Sequence, residues 1–471
     1  MDLINKTARE VVALLGTGEV SHAEVLDQLE ARVGATDAKV NALPTLCFDR
    51  ARDRADALAT KAAAERGPLG GMPVAIKDTN ALAGVRTTHG SPIYADHVPE
   101  TSDHITQRIE GAGGVPYAKS NVPEFAAGSQ TFNPVFGATR NPWNLSRTVG
   151  GSSGGAAAAL VTGQAWLAQG SDFGGSLRNP ASFCGCVGYR PSPGLVPAGP
   201  SGTPFEVMPQ QGPMARNIGD TGFFLDAIAG PHPHEPFGHP ERGSFRAAAE
   251  TPVVPKRVAY SPDLGITPVD PVVRRITEEA ARRFEAMGAV VEEASPDYSG
   301  CRDAFQTLRG ISFVAKHGQH YRDHRDKLKD DIIWNIEHGL AQTGADVAEA
   351  NLVRGRMVAS HAAFFEHYDL LLAPVAIVPP FSVDTPAIME CEGVAFENYI
   401  DWMMIVAAVT MTTAPSLSLP CGFTSDGLPI GLQMIGSFRG DAALLSHAAA
   451  LEAELALDLG PIDPRDGAPP A

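Results

Sequence analysis

The sequence predicts an α/β fold in which helices are layered on a central sheet, and two observations predict it. Short apolar segments bounded by glycine alternate with helix-period segments, the order that a βα layered sheet produces. The chain is also long and apolar enough, 471 residues with 44% hydrophobic, to bury a large core without disulfides.

Residues 1–66 read as helical. Met1–Val20 mixes Leu3, Val11, Val12, Leu14 and Leu15 with charged residues in an amphipathic pattern. The Ala-, Arg- and Asp-rich run 49–66 should present a charged outer face. Strands begin at Met72–Ile76, which follows Gly70-Gly71, and continue at Gly114–Ala118 after a helix over Asp103–Ala112. Trp143–Val149 is a poor strand. A helix starting near Ala156 would put the preceding serines and glycines at its N-terminus, where free N–H groups favour negative charge.

Residues 191–213 are dense in proline and glycine and predict an irregular crossing beside the site. Beyond it the pattern predicts a helix over Asp220–Ala229, a strand over Arg257–Tyr260, an amphipathic helix over Pro271–Met287 and a strand over Ala289–Glu293. One domain is expected over 1–459, with a flexible tail over 460–471.

A net charge of −17 repels phosphate backbones and anionic lipid, so neither nucleic acid nor a membrane surface is an expected partner. The apolar stretches Ala156–Ala168 and Met403–Val409 are shorter than the ~20 residues a membrane helix needs. Six cysteines without a framework spacing, and no signal-like N-terminus, fit the cytoplasm. A small-molecule substrate is expected, and a homodimer is left open.

The chemistry is concentrated in one lysine and two serine stretches. Lys77 closes the apolar run Pro73–Ile76 and is therefore placed for burial, which would favour its neutral, basic form. Gly150-Gly151-Ser152-Ser153-Gly154-Gly155 and Gly170-Ser171-Asp172-Phe173-Gly174-Gly175-Ser176-Leu177-Arg178 set serines among glycines, which allow close backbone approach. Nucleophile, relay and base are thus all present.

Rival readings are weaker. Gly150–Gly154 matches G-x-S-x-G, but that elbow needs a preceding strand and downstream Asp and His partners. Gly113–Ser120 ends like a phosphate loop, yet Ala118 stands at the second glycine position, so Lys119 reads as a strand-end residue. His232, His234 and His239, and His317, His320 and His324, lack a recognisable ligand set; the second group reads as solvated surface, and no metal is expected. Cys184-Gly185-Cys186 reads as packing.

These serine stretches resemble the signature of the amidase signature family of serine hydrolases. The resemblance extends through Pro73–Asp78, Lys119–Phe125, Arg140–Asn144, Gln211–Met214 and Leu428–Gln433, with its core at about 70–220. It implies an α/β/α fold with a large mixed sheet covered by helices on both faces, no cofactor, and a Ser-Ser-Lys triad of Ser176, Ser152 and Lys77. The family's relay serine lies 24 residues before the nucleophile in a cis peptide, which selects Ser152 over Ser153.

The backbone N–H groups of Phe173, Gly174, Gly175 and Ser176 would then form an oxyanion hole, with Ser153, Asp172 and Arg178 as supports. Residues 124–133 would border the acyl pocket: Ala126, Ala127, Gly128 and Ser129 are small and would leave room beside Ser176, while Phe125 and Phe132 would supply apolar walls or core packing. Tyr399, Trp402 and Met403 either close the far side or lie in a buried helix. The expected activity is cleavage of linear amides to a carboxylate plus ammonia or an amine. Cyclic amides, or service as the amidase component of a tRNA-dependent amidotransferase complex, are the alternatives.

Overall fold

Burial on both faces decides where the sheet runs. Pro73–Lys77, Leu370–Pro374 and Pro429–Ile435 are buried at every position, as expected of strands enclosed by other layers. In the computed structural model, which describes residues 1–240 and 243–467, eleven strands form one mixed sheet. Its order is Thr45–Leu46, Val115–Ser120, Pro73–Lys77, Leu167–Asp172, Gln210–Ala215, Val187–Arg190, Ser416–Phe423, Pro429–Ile435, Leu370–Pro374, Arg257–Tyr260 and Val290–Glu293.

Pro73–Lys77 runs parallel to both its neighbours, Val115–Ser120 and Leu167–Asp172. From Leu167–Asp172 to Leu370–Pro374 successive strands are antiparallel, and the last three are parallel again. Ligand sites in α/β sheets form beyond the carboxyl ends of parallel strands. Lys77 and Asp172 are the last residues of two such strands.

Local sequence explains the helices. Thr7 with Glu10 and Ser21 with Glu24 form capping boxes that start Ala8–Thr17 and His22–Val40. Gly154–Val161 is buried along its whole length, so its sequence is glycine, alanine and two aliphatics with no polar face. Its N-terminus reaches the sheet because Gly155 has no side chain: a Cβ there would lie 2.3 Å from the Asn121 nitrogen and 2.5 Å from the Ala42 oxygen.

Several expectations need correction. Part of the irregular stretch 191–213 is strand Gln210–Ala215, whose pairing with Val187–Arg190 is confined to Met214 and Ala215. Asn144–Thr148 is a strand after all, paired in a small ribbon with Arg140–Asn141 and outside the main sheet. The helix expected over 271–287 breaks at Arg282 into Pro271–Ala281 and Arg283–Ala286.

The described part of the tail expected to be flexible makes a few contacts with the body of the chain. Ile462 N–H donates to the Val161 oxygen, Arg465 N–H donates to the Pro142 oxygen, and Asp463 pairs with Arg32 at 2.6 Å. Residues 468–471 lie outside the described residues. No helix among the described residues is long and apolar enough to cross a membrane.

Gly155→Ala tests the close approach that seats the serine-bearing turn. Overpacking against two backbone atoms should cost about 1–3 kcal/mol, read as a lower denaturant midpoint. An unchanged midpoint would contradict the contact.

Candidate active site

Lys77 is fully buried at the end of its strand, and its Nζ is surrounded by oxygen. Ser152 Oγ lies at 2.7 Å, Ser153 Oγ at 2.9 Å, Ser171 Oγ at 3.0 Å and the Ser171 carbonyl at 3.3 Å. A neutral amine suits this shell, donating two N–H bonds and accepting one hydroxyl proton. Burial pushes the Lys77 amine down from 10.5 to about 7, with the Asp172 charge opposing that shift. Ser171 was not singled out from the sequence; only its position, next to the end of a strand parallel to that of Lys77, hints at its part.

Ser152 and Ser153 precede helix Gly154–Val161, and the Gly151–Ser152 peptide is cis. The two hydroxyls differ in surroundings. Ser153 Oγ also donates to the Ser171 carbonyl at 3.3 Å and accepts from Ser171 N–H at 3.4 Å, whereas Ser152 lines the same cavity as Ser176. Ser176 is half-buried.

Asp172 shapes the loop between the strand and Ser176. Its oxygens accept from Gly175 N–H at 2.9 Å and Leu177 N–H at 3.2 Å, and both pair with Arg178; Arg190 stands 3.5 Å from one of them. All three side chains are sealed from solvent. Burial alone would raise the Asp172 carboxyl, but Arg178 and Arg190 hold it well below the usual range. Gly175 adopts φ +100°, the conformation that turns its N–H back onto Asp172.

The Gly175 N–H is therefore occupied, which corrects the four-donor oxyanion reading. The N–H groups of Phe173, Gly174 and Ser176 donate to no other described group.

The cavity holding Ser152, Ser171 and Ser176 has a volume of about 260 Å³ and is walled by His89, Phe125, Ala126, Phe173, Arg309, Phe313, Lys316 and His317. It adjoins a second of about 420 Å³, sharing Thr79, Asn80, Pro209, Gln211 and Lys316. Of the expected pocket residues, Phe125 and Ala126 are in the wall. Ala127, Gly128 and Ser129 are not, because positive φ at Phe125 and Ala126 turns the chain away.

Ala127 packs instead with Phe313, Leu328, Ile332 and Ile336, and its carbonyl accepts from Lys329 Nζ at 2.6 Å. Gly128 stands beside the same amine, and Ser129 is buried behind Gly151. Phe132 lies under Lys329, whose Nζ is 5.5 Å from its ring centre. Trp402 and Met403 are buried in the core, while Tyr399 accepts from Arg309 and Asn335.

The histidine pattern also needs correction. His317 is not on a solvated face: it stands 4.6 Å from the Phe125 ring in the cavity wall, and His320 stacks on Phe125 at 5.1 Å. Burial, reinforced by neighbouring positive groups, pushes His317 down to about 3 and His89 to about 4, so both are neutral. The described residues that could hold a metal are His104, His232 and His234, with ring nitrogens within 4.8 Å of one another, although the first two rings stack face to face at 4.1 Å. Cys184 and Cys186 are buried and unpaired.

A serine-bearing cavity backed by a desolvated lysine, beside a turn with free N–H groups, holds the kinds of group that a serine hydrolase with a lysine base would use. The sequence profile of the Amidase family matches residues 24–445. An acylamidase from Rhodococcus erythropolis is 34% identical over 456 residues, covering 95% of each chain. A glutamyl-tRNA(Gln) amidotransferase subunit from Moorella thermoacetica is 35% identical, covering 96% of this chain and 97% of that one. A bacterial aryl acylamidase structure superposes with a TM-score of 0.90 at 27% identity, covering 96% of both chains. That of 6-aminohexanoate cyclic dimer hydrolase with substrate gives 0.85 at 27%, covering 96% and 97%. The chain belongs to the amidase signature family and is a hydrolase of amide C–N bonds.

The depressed Lys77 pKa links to stability. Between about pH 7 and 10.5 the unfolded chain holds a proton on this amine that the folded chain lacks, so folding gains stability as pH rises through that window. Relative to Lys77→Met, the unfolding free energy of the wild type should climb by up to about 1.4 kcal/mol per pH unit there. Parallel pH profiles would contradict a neutral lysine.

Proposed function

We propose that this chain is a stand-alone amidase that cleaves linear carboxylic amides through an acyl-enzyme on Ser176, releasing ammonia or an amine. One observation carries the reading: Ser152 and Ser176 line a single cavity, and Lys77 Nζ is 2.7 Å from Ser152 Oγ. The Lys77 lone pair takes the Ser152 proton while Ser152 takes that of Ser176, whose oxygen attacks the amide carbon. The oxyanion is held by N–H groups of Phe173, Gly174 and Ser176. Ser152 then protonates the departing nitrogen, and water releases the acid by the same relay.

The cavity volume of about 260 Å³ and its aromatic walls suit a small, flat amide better than a cyclic oligomer, in keeping with the resemblance to an acylamidase and an aryl acylamidase. Glutamine, the ammonia source in a tRNA-dependent amidotransferase, would bring an ammonium that needs an acidic partner. The single acid in the cavity wall among the described residues is Asp172, and two arginines already hold it. That favours an enzyme acting alone, and six unpaired cysteines support a cytoplasmic setting. Sedimentation of the purified chain decides between monomer and homodimer.

Ser176→Ala should abolish the covalent adduct seen by intact mass with an active-site serine label, and its fold should persist. Ser152→Ala should lower kcat by about 10²–10⁴, and Ser153→Ala by less. An adduct mapped to Ser152 or Ser153, or greater damage from Ser153→Ala, would overturn these roles.

A further inference from the structure

Among the described residues, one cation in the cavity wall has no counter-charge. Arg309, on helix Cys301–His324, is only 5% exposed, and no carboxylate lies within ion-pair distance of it among the described residues. Its guanidinium donates to Asn335 Oδ1 at 3.0 Å and to the Tyr399 hydroxyl at 3.3 Å, both neutral. The rings of Phe313 and Phe173 flank it at 4.5 and 5.3 Å. Buried charges are ordinarily paired, because cation–π contacts and neutral hydrogen bonds replace only part of lost hydration.

The neighbouring charges supply no partner. Lys316, the other cation in this wall, is paired with Glu206 at 2.7 Å; Asp172 is taken by Arg178 and Arg190; His317 is neutral. The cavity therefore offers one unneutralised, forked donor set among aromatic rings, and a guanidinium fork matches a carboxylate.

We infer that Arg309 is a specificity residue that binds a carboxylate on the substrate, so that the preferred amides carry an anionic group on an aromatic or apolar frame. This deepens the amidase reading and rests on it. A purely structural Arg309, clamping its helix to Asn335 and Tyr399, is the rival account, and it treats charged and neutral substrates alike.

The test pairs amides that differ in charge and little in shape: 4-acetamidobenzoate against 4-nitroacetanilide, and succinanilic acid against its methyl ketone analogue. The readout is how Arg309→Met changes kcat/KM for each member relative to wild type, which cancels intrinsic leaving-group reactivity. In at least one pair, the variant should lose tenfold or more on the anionic member and less than threefold on the neutral one, and Arg309→Lys should recover part of the loss. Equal losses on both members of both pairs would overturn the proposal.

Binding to Ser176→Ala protein by calorimetry keeps the inference testable if Arg309→Met fails to fold or no amide is turned over. Benzoate should bind at least tenfold more tightly than isosteric nitrobenzene. Parity would overturn the role of Arg309, whereas a clear benzoate preference with no amide turned over would count against the amidase reading alone.

Discussion

The structure is organised around an amine kept from water. Lys77 ends a strand whose every residue is buried, and four oxygens from Ser152, Ser153 and Ser171 replace the hydration it loses. Such an environment disfavours the ammonium form, and that is what makes a lysine useful as a base near neutrality. Each oxygen comes from an element fixed elsewhere: the Gly151–Ser152 turn by helix Gly154–Val161, and Ser171 by the parallel strand beside that of Lys77.

Electrostatics extend this arrangement outward. Asp172 uses its carboxylate to hold the N–H groups of Gly175 and Leu177, and two buried arginines keep it ionised. Arg178 in turn donates to the Val406 carbonyl, Gln433 and Thr410, so the serine loop is bound to the C-terminal part of the chain. On the neighbouring strand, Lys119 pairs with Asp78 at 3.8 Å and donates to Asn80 and Thr87, bracing the segment that follows Lys77. Burial pushes Lys119 only to about 8, with Asp78 resisting the shift.

Much of this was legible in residue order. The strand ending in Lys77 and the helix after Ser153 follow from an apolar run and a small-residue run, while Asp172 and Arg178 are expected as supports through the family resemblance. What escaped did so for physical reasons. Gln210–Ala215 contains glycine and proline, and little in it announces a strand flanked on both sides. Two positive-φ residues at Phe125 and Ala126 sent Ala127, Gly128 and Ser129 away from the cavity, and neither is a glycine that would have warned of the turn. His317 looked solvated because its charged neighbours share its helix, while Phe125, which covers it, lies nearly two hundred residues earlier in the chain.

The most direct test of the central claim is the pH dependence of the acylation step itself, followed by stopped flow with a chromogenic amide in excess over enzyme. If neutral Lys77 is the base, the burst rate should rise with pH along a single acidic limb with an apparent pKa near 7 and level off above it, since burial pushes the amine down to about 7. A burst rate that is flat from pH 6 to 9, or that keeps rising toward the ordinary lysine range near 10.4, would contradict the account.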